Sequence, residues 1–484
     1  MKLKDLIDDP HAADIDIAGL ATDSRVVTPG CLFAAISGTI VDGAAFVAQA
    51  VEKGAVAILS EAPLDCAVPV IRSTNVRRDL ARASARFFKG RPQFIAGVTG
   101  TNGKTSTATM ARQIWDNISA AIDTQKQIKA ASMGTLGIQG ADFHEPLQHT
   151  TPDPIRLHQG LQDLDRRGVT HLAMEVSSHG LAQHRADGID FDAAAFTNIT
   201  QDHLDYHPTF ADYFEAKARL FRELLKPGGH VVINANGEGA QSLVTRLEVL
   251  ISSGQLAPIL TGKEGSDVEL LHVQATPVGL TLDMIIAGAR SQFDVPLIGA
   301  FQAENLCVAI GIALASRLST PEILSSLPDI TAAPGRMQLV GSRNGGAVFV
   351  DYAHTPDAVA SALSSLRPHV EGRLTAIIGA GGDRDAGKRP LMGEAAATRA
   401  DAVIITDDNP RTEDPAAIRL AVAAGAPGAE IIGDRGDAIE AGIAHLQPGD
   451  ALLIAGKGHE TGQIVGDEII PFSDVEVAKA LCDG

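Results

Sequence analysis

The chain has 484 residues, of which 45% are hydrophobic but only 4% aromatic, and a formal net charge of −19. At ~150 residues per domain, this length suggests about three domains with cores of Ala, Val, Ile and Leu. The charge argues against non-specific binding to nucleic acid or anionic membranes, and no apolar run approaches the ~20 residues that span a bilayer. Cys31, Cys66, Cys307 and Cys482 are widely spaced and form no CxxC pair, so a disulfide or zinc framework is not expected and a reducing, cytoplasmic setting is. The N-terminal ten residues lack an apolar signal core.

Residues 1–90 read as a small α/β domain. Strands are expected at Cys31–Ile36, Ala55–Leu59 and Val68–Ile71, and a helix at Ala45–Lys53 that stops at Gly54. The loops Thr22–Arg25 and Ser37–Gly43 are polar and read as ordinary turns.

The middle block, 91–330, opens with the apolar run Phe94-Ile95-Ala96. The stretch Gly97-Val98-Thr99-Gly100-Thr101-Asn102-Gly103-Lys104-Thr105-Ser106 follows, and then a helical pattern from about Ser106 to Asn117. Strand, Gly-rich turn, Lys-Thr and helix is the order of a phosphate-binding loop. Its backbone N–H groups and the helix N-terminus face phosphate oxygens. Lys104 is expected to reach the β- and γ-phosphates, and the Thr105 hydroxyl to ligate Mg²⁺. ATP is therefore the expected nucleotide.

Two further strands in this block end in polar clusters. His171–Val176 carries Glu175 and runs into Ser177-Ser178-His179-Gly180. A carboxylate in a strand of Leu, Ala, Met and Val needs a partner if it is buried, and a metal is the obvious one; the alternative is a solvent-facing edge residue. Ala193–Thr197 leads to Asn198-Ile199-Thr200-Gln201-Asp202-His203-Leu204-Asp205-Tyr206-His207, where two Asp and two His fall within six residues. The expected helix from Phe210 to Leu225, stopped by Pro227-Gly228-Gly229, carries Lys217, which taken alone reads as a solvated lysine. Residues 265–300 alternate like antiparallel strands, and the stretch Ile298–Asn305 is expected to open a helix running to about Ala315.

From 331, after Ala333-Pro334-Gly335-Arg336, strand and helix alternate as in a doubly wound parallel sheet. Four of its strands end in polar loops: Asp351–Pro356, Gly379–Asp385, Asp407–Arg411 and Gly456–Glu460. Together they read as one ligand site at the C-terminal edge of the sheet. Gly379-Ala380-Gly381-Gly382 has the wrong spacing for a dinucleotide fingerprint, and no helix is expected directly after it.

Gly-Thr-Asn-Gly-Lys-Thr, Met-Glu-Val-Ser-Ser-His-Gly, Asp-His-Leu-Asp-Tyr-His, Asp-Tyr-Ala-His-Thr-Pro-Asp, Gly-Gly-Asp-Arg-Asp, Asp-Asn-Pro-Arg and Gly-Lys-Gly-His-Glu occur in that order. Over nearly the whole chain this series resembles the Mur ligases of peptidoglycan synthesis, especially those that add 2,6-diaminopimelate. The resemblance implies an α/β fold of three domains. A UDP-sugar-binding domain would span 1–90, a central phosphate-loop ATPase 91–330, and a C-terminal Rossmann-like amino-acid domain 331–484. It implies a cytoplasmic monomer that uses ATP and Mg²⁺ to join UDP-MurNAc-L-Ala-D-Glu to meso-diaminopimelate through an acyl phosphate. Nucleic acid and membrane insertion play no part in it.

The implied site residues follow the motifs. Gly100, Thr101, Asn102, Gly103, Lys104, Thr105 and Ser106 would hold the ATP phosphates, with Asn305 and Arg336 near base and ribose and Asp351 and His354 in a loop closing over ATP. Thr105, Glu175, His203 and Lys217 would serve the metal, Lys217 as a carbamate that turns a cation into an anion; Lys104, Glu175, His203 and Lys217 form the catalytic set. Ser24, Thr39, Thr150, Thr151, Ser177, Gln183 and Arg185 would bind the UDP-muramoyl dipeptide. Arg384, Asp408, Asn409, Pro410, Arg411, Gly456 and Glu460 would bind the amino acid. Arg411 discriminates, because diaminopimelate has a second carboxylate for a guanidinium to grip.

The sequence departs from the family pattern in three places. Ser106 stands where Thr is common, Gln302 where Asn is usual, and Thr39-Ile40-Val41 is less polar than in some relatives. An L-lysine-adding ligase is disfavoured by Arg411. A folylpolyglutamate synthase would not need the N-terminal domain or Asp-Asn-Pro-Arg. A non-catalytic ATP-binding scaffold is disfavoured by the intact Lys104, Glu175, His203 and Lys217.

Overall fold

The computed structural model describes residues 1–7, 14–38, 42–121, 128–200 and 206–483. They form two compact units, one of residues 1–261 with 311–318 and the other of 262–310 with 319–484.

In the first unit, a four-stranded parallel sheet is formed by Gly19–Ala21, Cys31–Ala35, Ala55–Ser60 and Val70–Arg72. Leu32, Ala34, Ala57 and Leu59 face a cluster with Leu3, Leu6 and Leu80, while Phe33, Ala35 and Ile58 face Val47 and Ala50. A sheet covered on both faces needs two sets of apolar neighbours, and the alternation along Cys31–Ala35 supplies them. The helix Val76–Phe87 covers one face and had little sequence signal. Its sequence is rich in Arg and Ala, and its buried stripe is Val76, Leu80, Ala81, Ala83 and Ser84, so small residues do the packing.

The second sheet of this unit is centred on the phosphate-loop strand Phe94–Thr99. Its order is Leu256–Gly262, Leu225–Asn234, Phe191–Phe196, Phe94–Thr99, His171–Glu175 and Ala130–Gly134, all parallel. The antiparallel strands Gly137–Gly140 and His144–Glu145 follow at the edge. Every central strand is a near-continuous apolar or small run, as burial on both faces requires. The helix after the loop, Lys104–Ala121, starts two residues earlier than expected and ends later. Pro154–Arg166 is capped by the Asp153 carboxylate, which accepts from the N–H groups of Ile155 and Arg156.

The helix carrying Lys217 is α-helical over Phe210–Arg219 only, and Leu220–Leu224 form a π turn before the strand Leu225–Asn234. The expected single helix to Leu225 is thus corrected, and Pro227-Gly228-Gly229 lies inside the next strand instead of ending the helix. The wider turn buries Leu220, Phe221 and Leu224 together against the central core.

In the second unit, Val268–Thr276, Gly279–Ile286 and Ala289–Val295 form the expected antiparallel meander. The C-terminal sheet runs Gln338–Arg343, Gly346–Asp351, Ala451–Ala455, Leu374–Ile378, Ala402–Ile405 and Glu430–Ile431. Its first pair is antiparallel and the rest are parallel. The last long strand of the chain inserts between the first two parallel ones. Helices Pro356–Leu366, Lys388–Ala397 and Pro415–Ala423 therefore contribute to the core on one face, and Arg435–Ala444 and Asp474–Asp483 to the core on the other. The strand order reverses there, and the four polar loops leave four adjacent strands at the same edge.

Candidate active site

The phosphate loop is built by close backbone approach. A Cβ on Gly100 would lie 1.9 Å from the Thr197 Oγ1, so only glycine fits. The Thr197 hydroxyl donates to the Asn102 carbonyl (2.6 Å), and the Asn102 N–H donates to the Asn198 side-chain oxygen (3.0 Å). The Thr101 hydroxyl meets the Tyr213 hydroxyl at 2.9 Å and accepts from the Thr200 N–H. The end of the neighbouring strand Phe191–Phe196 therefore braces the loop.

Two ammonium groups converge on this loop. Lys104 donates to the carbonyls of Gly100 and Thr101, both at 2.8 Å. Lys217 donates to the same Gly100 carbonyl at 2.7 Å, and its Nζ lies 4.7 Å from the centre of the Tyr213 ring. Lys217 is only 2% exposed, which corrects the reading of a solvated lysine. A buried cation requires partners, and a carbonyl with an aromatic face supplies them.

Glu175 is 3% exposed, not a solvent-facing edge residue. Its carboxylate accepts from the Thr105 hydroxyl (3.0 Å), the Thr135 N–H (2.8 Å) and the Thr135 hydroxyl (3.2 Å). The buried carboxylate is thus partnered by protein donors in this structure. Among the described residues, no group of three or more His, Cys, Asp or Glu side chains is arranged to hold a metal. Thr135 had no signal beyond a Gly-Thr pair behind a short strand of small residues. Gly134 is required beside it, since a Cβ there would lie 2.2 Å from Glu175 Oε1. His203 and Thr39 lie outside the described residues.

Next to Glu175 is a polar cluster of five expected dipeptide-site residues. The Thr150 hydroxyl contacts the Thr135 hydroxyl (3.0 Å). Thr151 is 1% exposed; its hydroxyl donates to the Glu175 carbonyl, accepts from the Ser177 N–H and meets the Ser177 hydroxyl. Arg185 donates to the Thr151 carbonyl at 2.8 Å and holds the Gln183 side-chain oxygen with a bidentate grip. Burial, with Arg77 nearby, pulls the Arg185 guanidinium below its usual pKa against the pull of Asp153. Ser24 is engaged elsewhere, donating to the Gln49 side chain at 2.6 Å in the N-terminal domain.

In the second unit, Asn305 donates to the Gln302 side-chain oxygen (3.0 Å), and Gln302 reaches the Arg336 carbonyl at 3.5 Å. Gln302, an unusual residue for its position in the motif, is fully buried and bridges the two expected nucleotide residues. The Arg336 guanidinium lies 4.6 Å from the Tyr352 ring, and Tyr352 packs on His459. The Asp351 carboxylate accepts from the N–H groups of Met337 and Ala353; burial raises its pKa despite Arg336. The His354 ring contacts the Tyr352 carbonyl.

The loops after Leu374–Ile378 and Ala402–Ile405 interlock. The Gly382 N–H donates to the Asn409 carbonyl (2.9 Å), and Arg411 donates back to the Gly382 carbonyl (2.8 Å). Thr412 donates to Asp383 through its N–H and its hydroxyl. Asp383 and Arg411 both have positive φ, +53° and +51°. Such backbone is strained in non-glycine residues and is held here by the interlocked loops. Arg411 and Arg384 flank Gly381: a Cβ there would lie 3.1 Å from the Arg411 Nη1 and 3.8 Å from the Arg384 Cγ. Asn409 donates to Glu460 Oε2 at 3.0 Å, which ties in the loop after Ala451–Ala455. The Gln463 side chain donates to the Asp408 carbonyl, and the Gly456 backbone packs against the Asp408 carboxylate. Pro410 lies in this clasp, its carbonyl against Gly382.

Models of three families' domains match the chain: "Mur ligase family, catalytic domain" over 16–90, "Mur ligase middle domain" over 98–313 and "Mur ligase, glutamate ligase domain" over 335–458. The chain belongs to the Mur ligase family. It is 49% identical to UDP-N-acetylmuramoyl-L-alanyl-D-glutamate–2,6-diaminopimelate ligase of Bradyrhizobium diazoefficiens, with 99% of each chain covered. It is 47% identical to the enzyme of the same name from Caulobacter vibrioides, covering 99% of this chain and 98% of that one. A solved structure of a ligase of that name is 33% identical, with a TM-score of 0.73 and coverage of 100% and 99%. The three-domain α/β Mur ligase architecture expected from sequence is thus borne out. Among the described residues of this Mur ligase, no helix is long and apolar enough to cross a membrane.

Proposed function

We propose that this Mur ligase joins meso-2,6-diaminopimelate to UDP-N-acetylmuramoyl-L-alanyl-D-glutamate with ATP, as a cytoplasmic step of peptidoglycan precursor synthesis. The observation that carries the choice of amino acid is the approach of the Arg411 guanidinium and the stem of the Arg384 side chain to Gly381, beside a clasp that includes Glu460. Two guanidiniums and a carboxylate complement a molecule with two carboxylates and an amine at each end. L-lysine has one carboxylate and leaves one guanidinium unmatched. The names of the full-length relatives support the same substrate pair.

The three domains take the roles of UDP-sugar binding (1–90), ATP binding (91–330) and amino-acid binding (331–484). The D-glutamyl γ-carboxylate oxygen attacks the γ-phosphorus of ATP, and ADP leaves. The diaminopimelate amine then attacks the acyl carbon; the bond to the phosphate oxygen breaks, and the amine loses its proton. Both transition states gather negative charge near the phosphoryl group, so fixed cations and N–H groups do most of the catalysis. Gly100 to Ser106 present the loop's N–H groups, and Lys104 supplies a cation that can turn from the Gly100 and Thr101 carbonyls to phosphate. Asn305 and Arg336 hold the base and ribose. Thr150, Thr151, Ser177, Gln183, Arg185 and Ser24 hold the UDP-muramoyl dipeptide, along with Thr39.

Thr105 and Glu175 place a hydroxyl and a carboxylate 3.0 Å apart beside the loop, a hard-oxygen pair suited to Mg²⁺. These two with His203, and Lys217 as a carbamate, would hold the ion, which neutralises phosphate charge when bound.

Phosphate release tests the reading. With ATP, Mg²⁺ and UDP-MurNAc-L-Ala-D-Glu, turnover is expected with meso-diaminopimelate and not with L-lysine. Arg411→Ala is expected to lower kcat/KM by ~10²-fold or more, the value of a charge-assisted pair of bonds. Turnover with L-lysine, or an unaffected Arg411→Ala, would overturn the choice of amino acid.

A further inference from the structure

Gly456-Lys457-Gly458-His459-Glu460 contains a lysine that the proposed substrate contacts leave unused. Lys457 follows the strand Ala451–Ala455 and is completely buried. An ammonium out of contact with water is costly unless it is paired and hydrogen-bonded. Lys457 donates to Asn409 Oδ1 at 3.0 Å and to Glu460 Oε2 at 2.9 Å. These are two of the residues assigned to the amino acid.

The geometry restricts both partners. Asn409 Oδ1 accepts from Lys457 and also from the Ile464 N–H (2.9 Å), so the amide cannot turn over without setting its NH₂ against two donors. Its NH₂ is thereby aimed at Glu460 Oε2, to which it donates at 3.0 Å. Glu460 Oε2 is filled by two donors, and among the described residues Oε1 has no hydrogen-bond partner. The Glu460 side chain is 32% exposed, whereas Lys457 is not exposed at all. The lysine therefore binds one carboxylate oxygen from behind and presents the other, at a fixed angle, to whatever enters the site. A carboxylate oxygen held in this way suits the ammonium of an amino acid.

We propose that Lys457 is a positioning residue for the amino-acid substrate, locking Asn409 and Glu460 into one arrangement; this rests on the diaminopimelate reading of the site. Lys457 is too buried to touch the substrate, so its effect is on binding of the amino acid and not on the ATP half of the reaction.

Steady-state kinetics of the full-length protein tests this, with each substrate varied in turn. Lys457→Met keeps an unbranched side chain one atom shorter and removes the donors. Its KM for meso-diaminopimelate is expected to rise tenfold or more, while the KM values for ATP and the UDP-sugar stay within twofold. Lys457→Gln, which retains an uncharged NH₂ donor group, is expected to fall between Lys457→Met and the unaltered protein. A diaminopimelate KM within twofold of the unaltered protein, or all three KM values rising together, would overturn the proposal. If Lys457→Met does not fold, Lys457→Gln is read by the same criteria; failure of both to fold would make Lys457 a folding residue and overturn it as well. Absence of diaminopimelate turnover in the unaltered protein would instead bring down the reading of the whole site, a distinct result.

Discussion

Asp474→Asn is a sharp test of how the C-terminal sheet holds its loops. Arg435 and Asp474 both have fully buried side chains. The guanidinium donates from Nε and Nη2 to the two carboxylate oxygens at 2.7 and 2.8 Å. Nη2 also donates to the Ala455 carbonyl (2.9 Å) and Nη1 to the Asp407 carbonyl (3.3 Å). One arginine thus ties the last helix, Asp474–Asp483, to the ends of two strands that carry proposed substrate loops. Burial alone would lower the pKa of this guanidinium, but Asp474 outweighs it and raises the pKa. Asparagine keeps the shape and removes the charge, leaving a buried cation with a poorer partner. Breaking a buried pair from one side costs about 3–5 kcal/mol, which is roughly 10²- to 5 × 10³-fold in the local opening equilibrium.

Hydrogen–deuterium exchange of the full chain reads that change in peptides covering Ala402–Ile405 and Ala451–Ala455. The single tryptophan, Trp115, is buried in the phosphate-loop domain, so its fluorescence provides a control for the rest of the protein. Exchange in the C-terminal peptides is expected to accelerate by that factor while the Trp115 transition stays in place. The double variant Arg435→Met with Asp474→Leu, which removes both charges, is expected to recover much of the loss. Unchanged exchange in Asp474→Asn, or a double variant no better than the single, would refute the reasoning.

Two other predictions concern the phosphate-loop domain. Gly134→Ala places a Cβ 2.2 Å from Glu175 Oε1, displacing the carboxylate from the Thr135 N–H and Thr105; losing a hydrogen bond to a charged group costs ~1.5–3 kcal/mol, or roughly 10- to 100-fold in phosphate release. Unaltered turnover would mean that this placement of Glu175 does not matter to the reaction. His158 is held neutral by burial, its pKa lowered from 6.5 to about 4. Between those values the unfolded chain binds a proton that the folded one excludes, so stability falls as pH drops through this window, by up to ~3 kcal/mol. Urea unfolding followed at Trp115 is expected to lose less stability from pH 7 to pH 5 in His158→Gln, although His171, also lowered to about 4 by burial, keeps part of the slope. Identical pH dependence in the two proteins would contradict the assignment.

Local chemistry made much of this protein legible before its fold. A Gly-rich turn with Lys104 and Thr105 between an apolar strand and a helix has few other uses, because backbone N–H groups and a helix N-terminus make the anion site by themselves. In the C-terminal sheet, the four polar loops were legible as one group because parallel strands bring their C-terminal ends to one edge. Helix ends were less certain: the π turn at Leu220–Leu224 has the same apolar spacing as a continuing helix and is set by how Phe221 and Leu224 pack. The helix Val76–Phe87 was illegible because its buried face mixes Val76 and Leu80 with the small residues Ala81, Ala83 and Ser84.

Residue types and their order along the chain thus determined the phosphate loop, the parallel sheets and the family, since those depend on contacts between near neighbours and on period. Only the tertiary structure decided what the charged groups do. Lys217 taken alone reads as a solvated lysine and Lys457 as one member of a polar loop, yet both are buried, one on the Gly100 carbonyl and the other on Asn409 and Glu460. Glu175 likewise turned out to be held by Thr135, 40 residues before it. The partner of a buried charge comes from whichever strand lies alongside, and strand order in a parallel sheet is settled by the packing of whole layers rather than by spacing along the chain.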